Sequence, residues 1–70
     1  MLLRKIVAKQ KAERLSDYKF TEKLGIDRST WTHTRLGHQP IGYTVLCAIL
    51  RTYPELEPDV FDFMRDGGKE

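Results

Sequence analysis

Cysteine is nearly absent from this chain, since Cys47 is its single thiol and no disulfide can form within it. No group of cysteines and histidines has the spacing of a zinc finger, so a structural metal is not expected. No apolar run approaches the roughly 20 residues of a membrane span, and the first residues lack the apolar core of a signal peptide. We therefore expect one intracellular domain held together by a hydrophobic core, in which Cys47 packs as a small apolar side chain.

The motifs of common enzyme classes are also missing. Neither a phosphate-binding P-loop nor a dinucleotide-binding glycine fingerprint is present. Asp27, Ser29 and His33 are close in sequence, but helical geometry would spread them apart and no glycine-rich loop accompanies them. His33 and His38 are five residues apart, with no cysteine or paired carboxylate nearby. We therefore expect neither catalysis nor a cofactor, and no metal site.

Strand signals are scarce, whereas helix signals recur along the chain. No sustained alternation of polar and apolar residues is present, and no Asn-Gly or Asp-Gly turn joins two β-branched runs. In residues 2–15 the apolar positions Leu3, Ile6, Val7 and Ala12 alternate with basic and polar residues, which predicts an amphipathic first helix. The sequence therefore predicts an all-α fold.

Local signals delimit a short second helix. Ser16 or Asp17 can cap its start by accepting hydrogen bonds from the unpaired N–H groups of the next turn. Phe20 and Leu24 are four residues apart and therefore share the buried face. Gly25 follows at the position where a helix ends in a left-handed conformation, which glycine adopts without a Cβ penalty.

A third helix is predicted immediately afterwards. Asp27 is placed to cap it, and Gly37 closes it after about Leu36. Ile26 and Trp31 are predicted to turn inward, so that Trp31 is a core residue rather than a base-stacking one. The first residues of this helix then lie on the opposite, exposed face.

Two more helices complete the predicted fold. Residues 38–41 form a loop because Pro40 lacks an N–H group and disfavours helix before it. A fourth helix spans roughly residues 42–52, and Pro54 ends it. The pair Glu57-Pro58 has the pattern of a helix start and predicts a short fifth helix. The apolar positions of these two helices are Val45, Leu46, Ile49, Leu50, Val60, Phe61, Phe63 and Met64.

The net charge of +2 conceals a strong asymmetry between the two halves of the chain. Residues 1–38 contain nine Lys and Arg against four Asp and Glu, whereas residues 39–70 contain three against six. The first half therefore has a net charge of +5 and the second half −3. A basic half suits a polyanionic partner, although an uneven solvated surface would give the same numbers.

The second and third helices match a known motif. Four groups of residues have the order and spacing of that motif: Leu15-Ser16, Phe20-Thr21, Gly25-Ile26-Asp27-Arg28-Ser29-Thr30-Trp31-Thr32 and Gly37. In these residues the chain resembles the lambda Cro and lambda-repressor-like family of helix-turn-helix proteins. The resemblance implies a compact five-helix DNA-binding domain at residues 1–66, with the motif in helices two and three and a flexible tail at residues 67–70.

The resemblance also implies a function, namely sequence-specific binding of double-stranded DNA by a transcriptional regulator or repressor, without cofactor or small-molecule ligand. The implied base contacts, from the third helix in the major groove, are Arg28, Ser29, Thr32 and His33. The implied phosphate contacts are Ser16, Lys19, Lys23, His38 and Gln39. A homodimer on a two-fold symmetric site is expected, in the cytoplasm of a bacterial or phage-infected cell. The candidate dimer residues are Tyr53, Leu56, Phe61 and Met64, because the acidic end should avoid phosphate.

The chain departs from the family pattern at three places. Asp17 replaces a glutamine that binds phosphate, so we expect Asp17 to act only as a helix cap. Thr21 replaces an alanine in the second helix. Gln10 and Arg35 replace the partners of an ion pair, so Arg35 is expected to pair with Glu13 or to face phosphate.

An alternative function from another class stays open. A protein-interaction or antitoxin-like adaptor could keep the fold without binding DNA, and Asp17 and the modest net charge favour it. The sequence also leaves open whether Tyr18, Tyr43 and Tyr53 are core, groove or interface residues. A small hydrolase or a metalloprotein has no positive signal in the sequence.

Overall fold

Helices account for most of the computed structural model, which describes residues 2–68 and contains no β-strand within that range. The elements are α1 (Leu2–Ala12), α2 (Asp17–Leu24), α3 (Arg28–Arg35), α4 (Tyr43–Thr52), a 3₁₀ turn (Pro54–Leu56) and α5 (Glu57–Arg65). The Cα radius of gyration is 11.0 Å, and about 11 Å is expected of a folded domain of this length. The prediction of a compact all-α fold with five helices is confirmed.

No helix among residues 2–68 is long and apolar enough to cross a membrane. The predicted tail at residues 67–70 lies partly beyond this range, because Lys69 and Glu70 are outside the described residues. Gly68 belongs to the closing turn of α5, since its N–H donates to the Phe63 carbonyl at 2.9 Å.

The core lies between all five helices and is centred on three aromatic rings. Trp31 and Phe20 are fully buried, with ring centroids 5.3 Å apart, and the Phe20 ring also stacks on Tyr53 at 6.3 Å. The predicted burial of Trp31 is thereby confirmed, and Tyr53 is a core residue. The other buried apolar residues are Leu2, Ile6, Leu24, Val45, Leu46, Ala48, Ile49, Leu56, Val60 and Phe63.

The first helix is shorter than its apolar pattern suggests. It ends at Ala12 rather than near Leu15, because Arg14 adopts a left-handed conformation with φ of 55°. The Leu15 N–H then donates to the Gln10 carbonyl at 3.1 Å, which closes the helix. The amphipathic pattern continues past this turn because Leu15 also packs against the core. Periodicity alone therefore placed the boundary three residues too late.

A tight turn joins α2 to α3. Ser16 caps α2, with its hydroxyl accepting from the Lys19 N–H at 3.2 Å, and Gly25 ends it with φ of 75°. Arg51 on α4 adds a contact from outside, since its Nη2 donates to the Leu24 carbonyl at 2.8 Å. The turn is therefore stabilised both by the left-handed backbone conformation of Gly25 and by the hydrogen bond from Arg51 on α4. Ile26 within it is half-buried and packs against the core, as predicted.

Replacing Gly25 by serine is expected to lower the free energy of unfolding by about 1 kcal/mol, because a Cβ disfavours φ of 75°. The nearest atom to such a Cβ is Arg51 Nη2 at 3.5 Å, an ordinary contact, so the cost comes from the backbone. Urea denaturation followed by circular dichroism measures it. The matched control is Gly42→Ser, where φ is −91° at the N-cap of α4 and stability should be unchanged or slightly higher. Equal effects at both positions would contradict this explanation.

Candidate nucleic-acid interface

The four residues predicted to contact bases lie on one face of α3. Arg28, Ser29 and His33 are exposed and Thr32 is half-buried. Ser29, Thr32 and His33 follow Arg28 by one, four and five residues, which places all four along one side of the helix. We call these four residues the outer face of α3. The opposite side contains Trp31 and Thr34, both almost fully buried, so core packing fixes which side points outward.

The hydrogen-bonding groups on the outer face of α3 differ in whether they already have a hydrogen-bond partner within the protein. The Arg28 guanidinium has no hydrogen bond or ion pair with any residue in the range 2–68. The Ser29 hydroxyl donates to the Asp27 carboxylate, and this hydrogen bond is the main cause that lowers the pKa of Asp27. Arg28 is therefore available for a ligand, whereas Ser29 has an internal acceptor.

Two carboxylates stand next to the beginning of α3. Glu22 and Asp27 line a shallow surface groove together with Arg28 and Tyr18. Their negative charge makes the electrostatic potential more negative at the N-terminal end of the outer face of α3. The outer face itself contains no acidic residue.

A polar cluster behind α3 connects three helices. Gln10 on α1 donates from Nε2 to Asp17 Oδ1 at 2.9 Å and accepts from Trp31 Nε1 at 3.1 Å. Arg35 on α3 donates from Nη2 to Asp17 Oδ2 at 2.8 Å. We call Gln10, Asp17, Trp31 and Arg35 the Asp17 network. It joins the beginning of α2 to both α1 and α3.

The Asp17 network corrects two expectations from the sequence. Asp17 is not a pure cap, because Ser16 caps α2 and the Asp17 carboxylate binds side chains of the neighbouring helices. Arg35 pairs with Asp17 rather than with Glu13 or a free anion. The hydrogen bond from Gln10 is the largest cause that lowers the pKa of Asp17, and Arg35 adds to it against the opposing effect of burial.

Two of the three departures from the expected pattern, Asp17 and the pair Gln10 and Arg35, belong to one set of contacts that the sequence did not predict. The sequence contains a signal for this contact, since Asp17 and Arg35 have opposite charges and both lie at positions that depart from the expected pattern. The sequence alone could not show that Gln10 lies between them, because that requires the packing of α1 across α2 and α3.

The two lysines on α2 that are predicted to contact phosphate differ in whether they already form an ion pair within the protein. The Lys19 ammonium is exposed, has no ion pair within residues 2–68 and lies 5.9 Å from the centroid of the Tyr18 ring. Lys23 forms an ion pair with Glu13 and lies 4.9 Å from the centroid of the Tyr53 ring. Lys23 could meet a phosphate only after this ion pair opens, whereas Lys19 needs no such change.

The predicted phosphate contacts after α3 lie in its closing turn. Gln39 Nε2 donates to the Thr30 carbonyl and to Thr34 Oγ1, both at 3.2 Å, so its amide braces the loop against α3. His38 is exposed and its ring centroid lies 5.9 Å from that of His33. The turn thus brings His38 beside the outer face of α3.

The acidic half of the chain neutralises part of the basic half. Lys5 pairs with Asp59, and Lys9 pairs with Glu55 at 2.8 Å, so both ion pairs join α1 to the C-terminal elements. The basic face expected on α1 is therefore partly compensated. In the described part of the chain, the basic residues without an ion pair are Arg4, Lys11, Arg14, Lys19, Arg28 and Arg51.

The residues predicted to form a dimer surface divide into two groups. Tyr53 and Leu56 are 4% and 6% exposed, so their expected role on an exposed partner surface is wrong. They were misassigned because the 3₁₀ turn after α4 folds them inward. Phe61 and Met64 on α5 are 48% and 52% exposed.

No family model, no curated protein and no solved structure matches this chain. Within residues 2–68 no group of three or more His, Cys, Asp and Glu side chains could hold a metal ion.

Proposed function

We propose that this chain binds double-stranded DNA with α3 in the major groove and regulates transcription without performing chemistry. The observation that supports this proposal most directly is the outer face of α3, where Arg28, Thr32 and His33 present a guanidinium, a hydroxyl and an imidazole, and Arg28 forms no hydrogen bond or ion pair within residues 2–68. A helix of this width fits the major groove, and such groups match the hydrogen-bonding edges of bases.

The proposed base readout depends on Arg28. Its guanidinium can donate to O6 and N7 of one guanine at once, which neutral side chains cannot match. Thr32 and His33 lie one turn further along α3 and would contact the next bases or a thymine methyl. Ser29 would contact a base or keep its hydrogen bond to Asp27, which orients the first turn of α3.

The proposed positioning contacts come from the beginning of α2 and the turn after α3. Ser16 and Lys19 present a hydroxyl and an unpaired ammonium, and the first N–H groups of α2 favour an anion. His38 would contact the flanking backbone directly, whereas Lys23 would first have to leave its ion pair with Glu13 and Gln39 its hydrogen bonds to α3. Phe61 and Met64 are the candidate residues for a homodimer that matches a two-fold symmetric site.

Binding is tested by fluorescence anisotropy with random and with selected duplexes over a series of salt concentrations. The logarithm of the association constant should fall linearly with the logarithm of salt concentration, because binding releases counterions from the DNA. Absence of binding to any duplex at low salt would refute the proposal.

The Arg28→Ala and Lys19→Ala variants are expected to behave differently. Arg28→Ala should cost about 1–3 kcal/mol of binding free energy on a selected site and relax the base preference at one position. Lys19→Ala should weaken all duplexes alike and reduce the salt slope by about 1. Lys5→Ala, which removes an ammonium already paired with Asp59, is the control and should change neither quantity. If the first two variants have the same effect on selected and random DNA, the division between readout and positioning is wrong.

A second candidate function is a protein-interaction adaptor. It is favoured by the ion pairs that occupy Lys5, Lys9 and Lys23, and by Glu22 and Asp27 beside α3. Under this alternative the anisotropy experiment gives no salt-dependent DNA binding, and the exposed face of α5 is the partner surface. The two candidates are therefore separated by the same titration.

A further inference from the structure

The turn that closes α3 has a defined hydrogen-bond pattern. The Gly37 N–H donates to the Thr34 carbonyl at 3.1 Å, and the His38 N–H donates to the His33 carbonyl at 2.8 Å. Gly37 has φ of 82°, which provides the left-handed residue that this type of helix end requires. The backbone thereby folds His38 back toward the last turn of α3.

This turn normally brings two apolar side chains together, one from the third-last helical position and one from two positions after the cap. In this chain both positions are histidines, His33 and His38. Their ring centroids are 5.9 Å apart and their planes are inclined by 44°. Both side chains are exposed, so an ion can reach them from solvent.

The separation of the two rings fits simultaneous coordination of one metal ion. With a metal–nitrogen distance of about 2.0–2.1 Å, each ring centroid lies about 3.2 Å from the ion, which limits the centroid separation to about 6.4 Å. At a tetrahedral angle the centroids would be about 5 Å apart, about 1 Å closer than in this structure, and rotation of the side chains would turn one nitrogen of each ring toward the ion. We propose that His33 and His38 form a two-histidine site for a divalent transition-metal ion such as Zn²⁺.

The donor set determines the class of ion. Imidazole nitrogen suits Zn²⁺, Ni²⁺ and Cu²⁺, whereas Mg²⁺ and Ca²⁺ prefer oxygen. Residues 2–68 offer no third His, Cys, Asp or Glu at this place, so water completes the coordination shell. The helix end holds the pair together before the ion arrives, which reduces the entropic cost of the second bond. The proposal does not depend on DNA binding.

Titration of the wild-type protein with Zn²⁺ alone, in a non-coordinating buffer at fixed neutral pH, tests the site by NMR of the imidazole ring protons. Both histidines are expected to shift together and to saturate at one equivalent. His33→Ala and His38→Ala should each weaken binding by at least about tenfold, because the remaining imidazole loses its chelate partner. Cys47→Ser is the control for adventitious thiol binding and should bind Zn²⁺ like the wild type.

The Gly37→Ala variant tests the contribution of the turn separately from that of the two ligands. Both imidazoles remain in this variant, while the left-handed backbone conformation at position 37 is disfavoured. It should weaken Zn²⁺ binding, with helical content checked by circular dichroism. Unchanged Zn²⁺ affinity in this variant would show that the turn does not preorganise the two histidines for metal binding. The site itself is refuted if neither histidine shifts at millimolar Zn²⁺, or if both single-histidine variants bind like the wild type.

Discussion

Replacing Trp31 by alanine is expected to lower the free energy of unfolding by about 3–5 kcal/mol. The side chain is 0% exposed and packs against Phe20, so its removal leaves a cavity at the centre of the core. The indole N–H is also the partner of Gln10 Oε1 at 3.1 Å, and that buried acceptor would lose its donor. A domain of this size is stable by roughly 4–10 kcal/mol, so this loss removes a large part of its total stability.

Thermal and urea denaturation followed by circular dichroism measure this loss, since Trp31 is the single tryptophan and its fluorescence disappears with it. Trp31→Phe is the matched control, because it keeps an aromatic ring against Phe20 and removes the hydrogen bond to Gln10. Its stability should fall between those of the wild type and Trp31→Ala. A Trp31→Ala variant as stable as the wild type would show that α3 is not held by this side chain.

The second large effect is expected at Asp17. Asp17→Ala should lower the free energy of unfolding by about 2–3 kcal/mol, because it leaves the Arg35 guanidinium without its acceptor and removes one of the two hydrogen bonds of Gln10 Nε2, which also donates to the Leu15 carbonyl. The cost is below that of a fully buried pair because the Asp17 side chain remains 26% exposed. Arg35 Nε is already buried without a hydrogen-bond partner, which offsets part of the gain from the pair.

A double-mutant cycle with Asp17→Ala and Arg35→Ala isolates the interaction between them. The loss in the double variant should be smaller than the sum of the single losses, because the second substitution removes a charge that the first had left unpaired. Strictly additive losses would show that the two side chains do not stabilise each other. Lys5→Ala, which removes an exposed ion pair with Asp59, is the control and should cost much less.

The contribution of Asp17 should depend on pH in one direction. Its pKa in the folded protein is lowered from the ordinary value of 3.8, chiefly by the hydrogen bond from Gln10 and then by Arg35. A group with a lowered folded pKa stabilises the protein above its unfolded pKa and loses this contribution as pH falls through the folded value. The difference in stability between the wild type and Asp17→Ala should therefore be constant near neutral pH and shrink below 3.8. A difference that stays constant into that acidic range would contradict the assignment.

Most features of the fold that the sequence predicted correctly depend on interactions between residues that are close together in the chain. Gly25 and Ser16 end and cap helices through interactions within one or two turns, so their roles are readable without the tertiary structure. The end of α1 was placed too late because Arg14, a residue type that rarely adopts positive φ, forms the turn. The buried side of α3 was predictable because Trp31 is the single large apolar residue within that helix.

The candidate site was predictable only in part. The helical period places Arg28 and His33 on the outer face of α3, which requires no knowledge of other helices. The pairing of Lys23 with Glu13 and the burial of Tyr53 could not be foreseen, because they depend on how α2, α4 and the loop after α1 meet. These contacts decide which basic side chains remain free.

The amino-acid sequence by itself determined the number of helices, most of their limits and the outward face of α3, since each follows from caps, glycines and periodicity within a few residues. The tertiary structure decided the partners of the charged side chains. Asp17 binds Gln10 and Arg35 rather than capping its own helix, and Lys9 pairs with Glu55 across 46 positions of the chain. Ion pairs and buried hydrogen bonds depend on distances of a few ångströms, and only the packing of the helices brings groups so distant in sequence within that range.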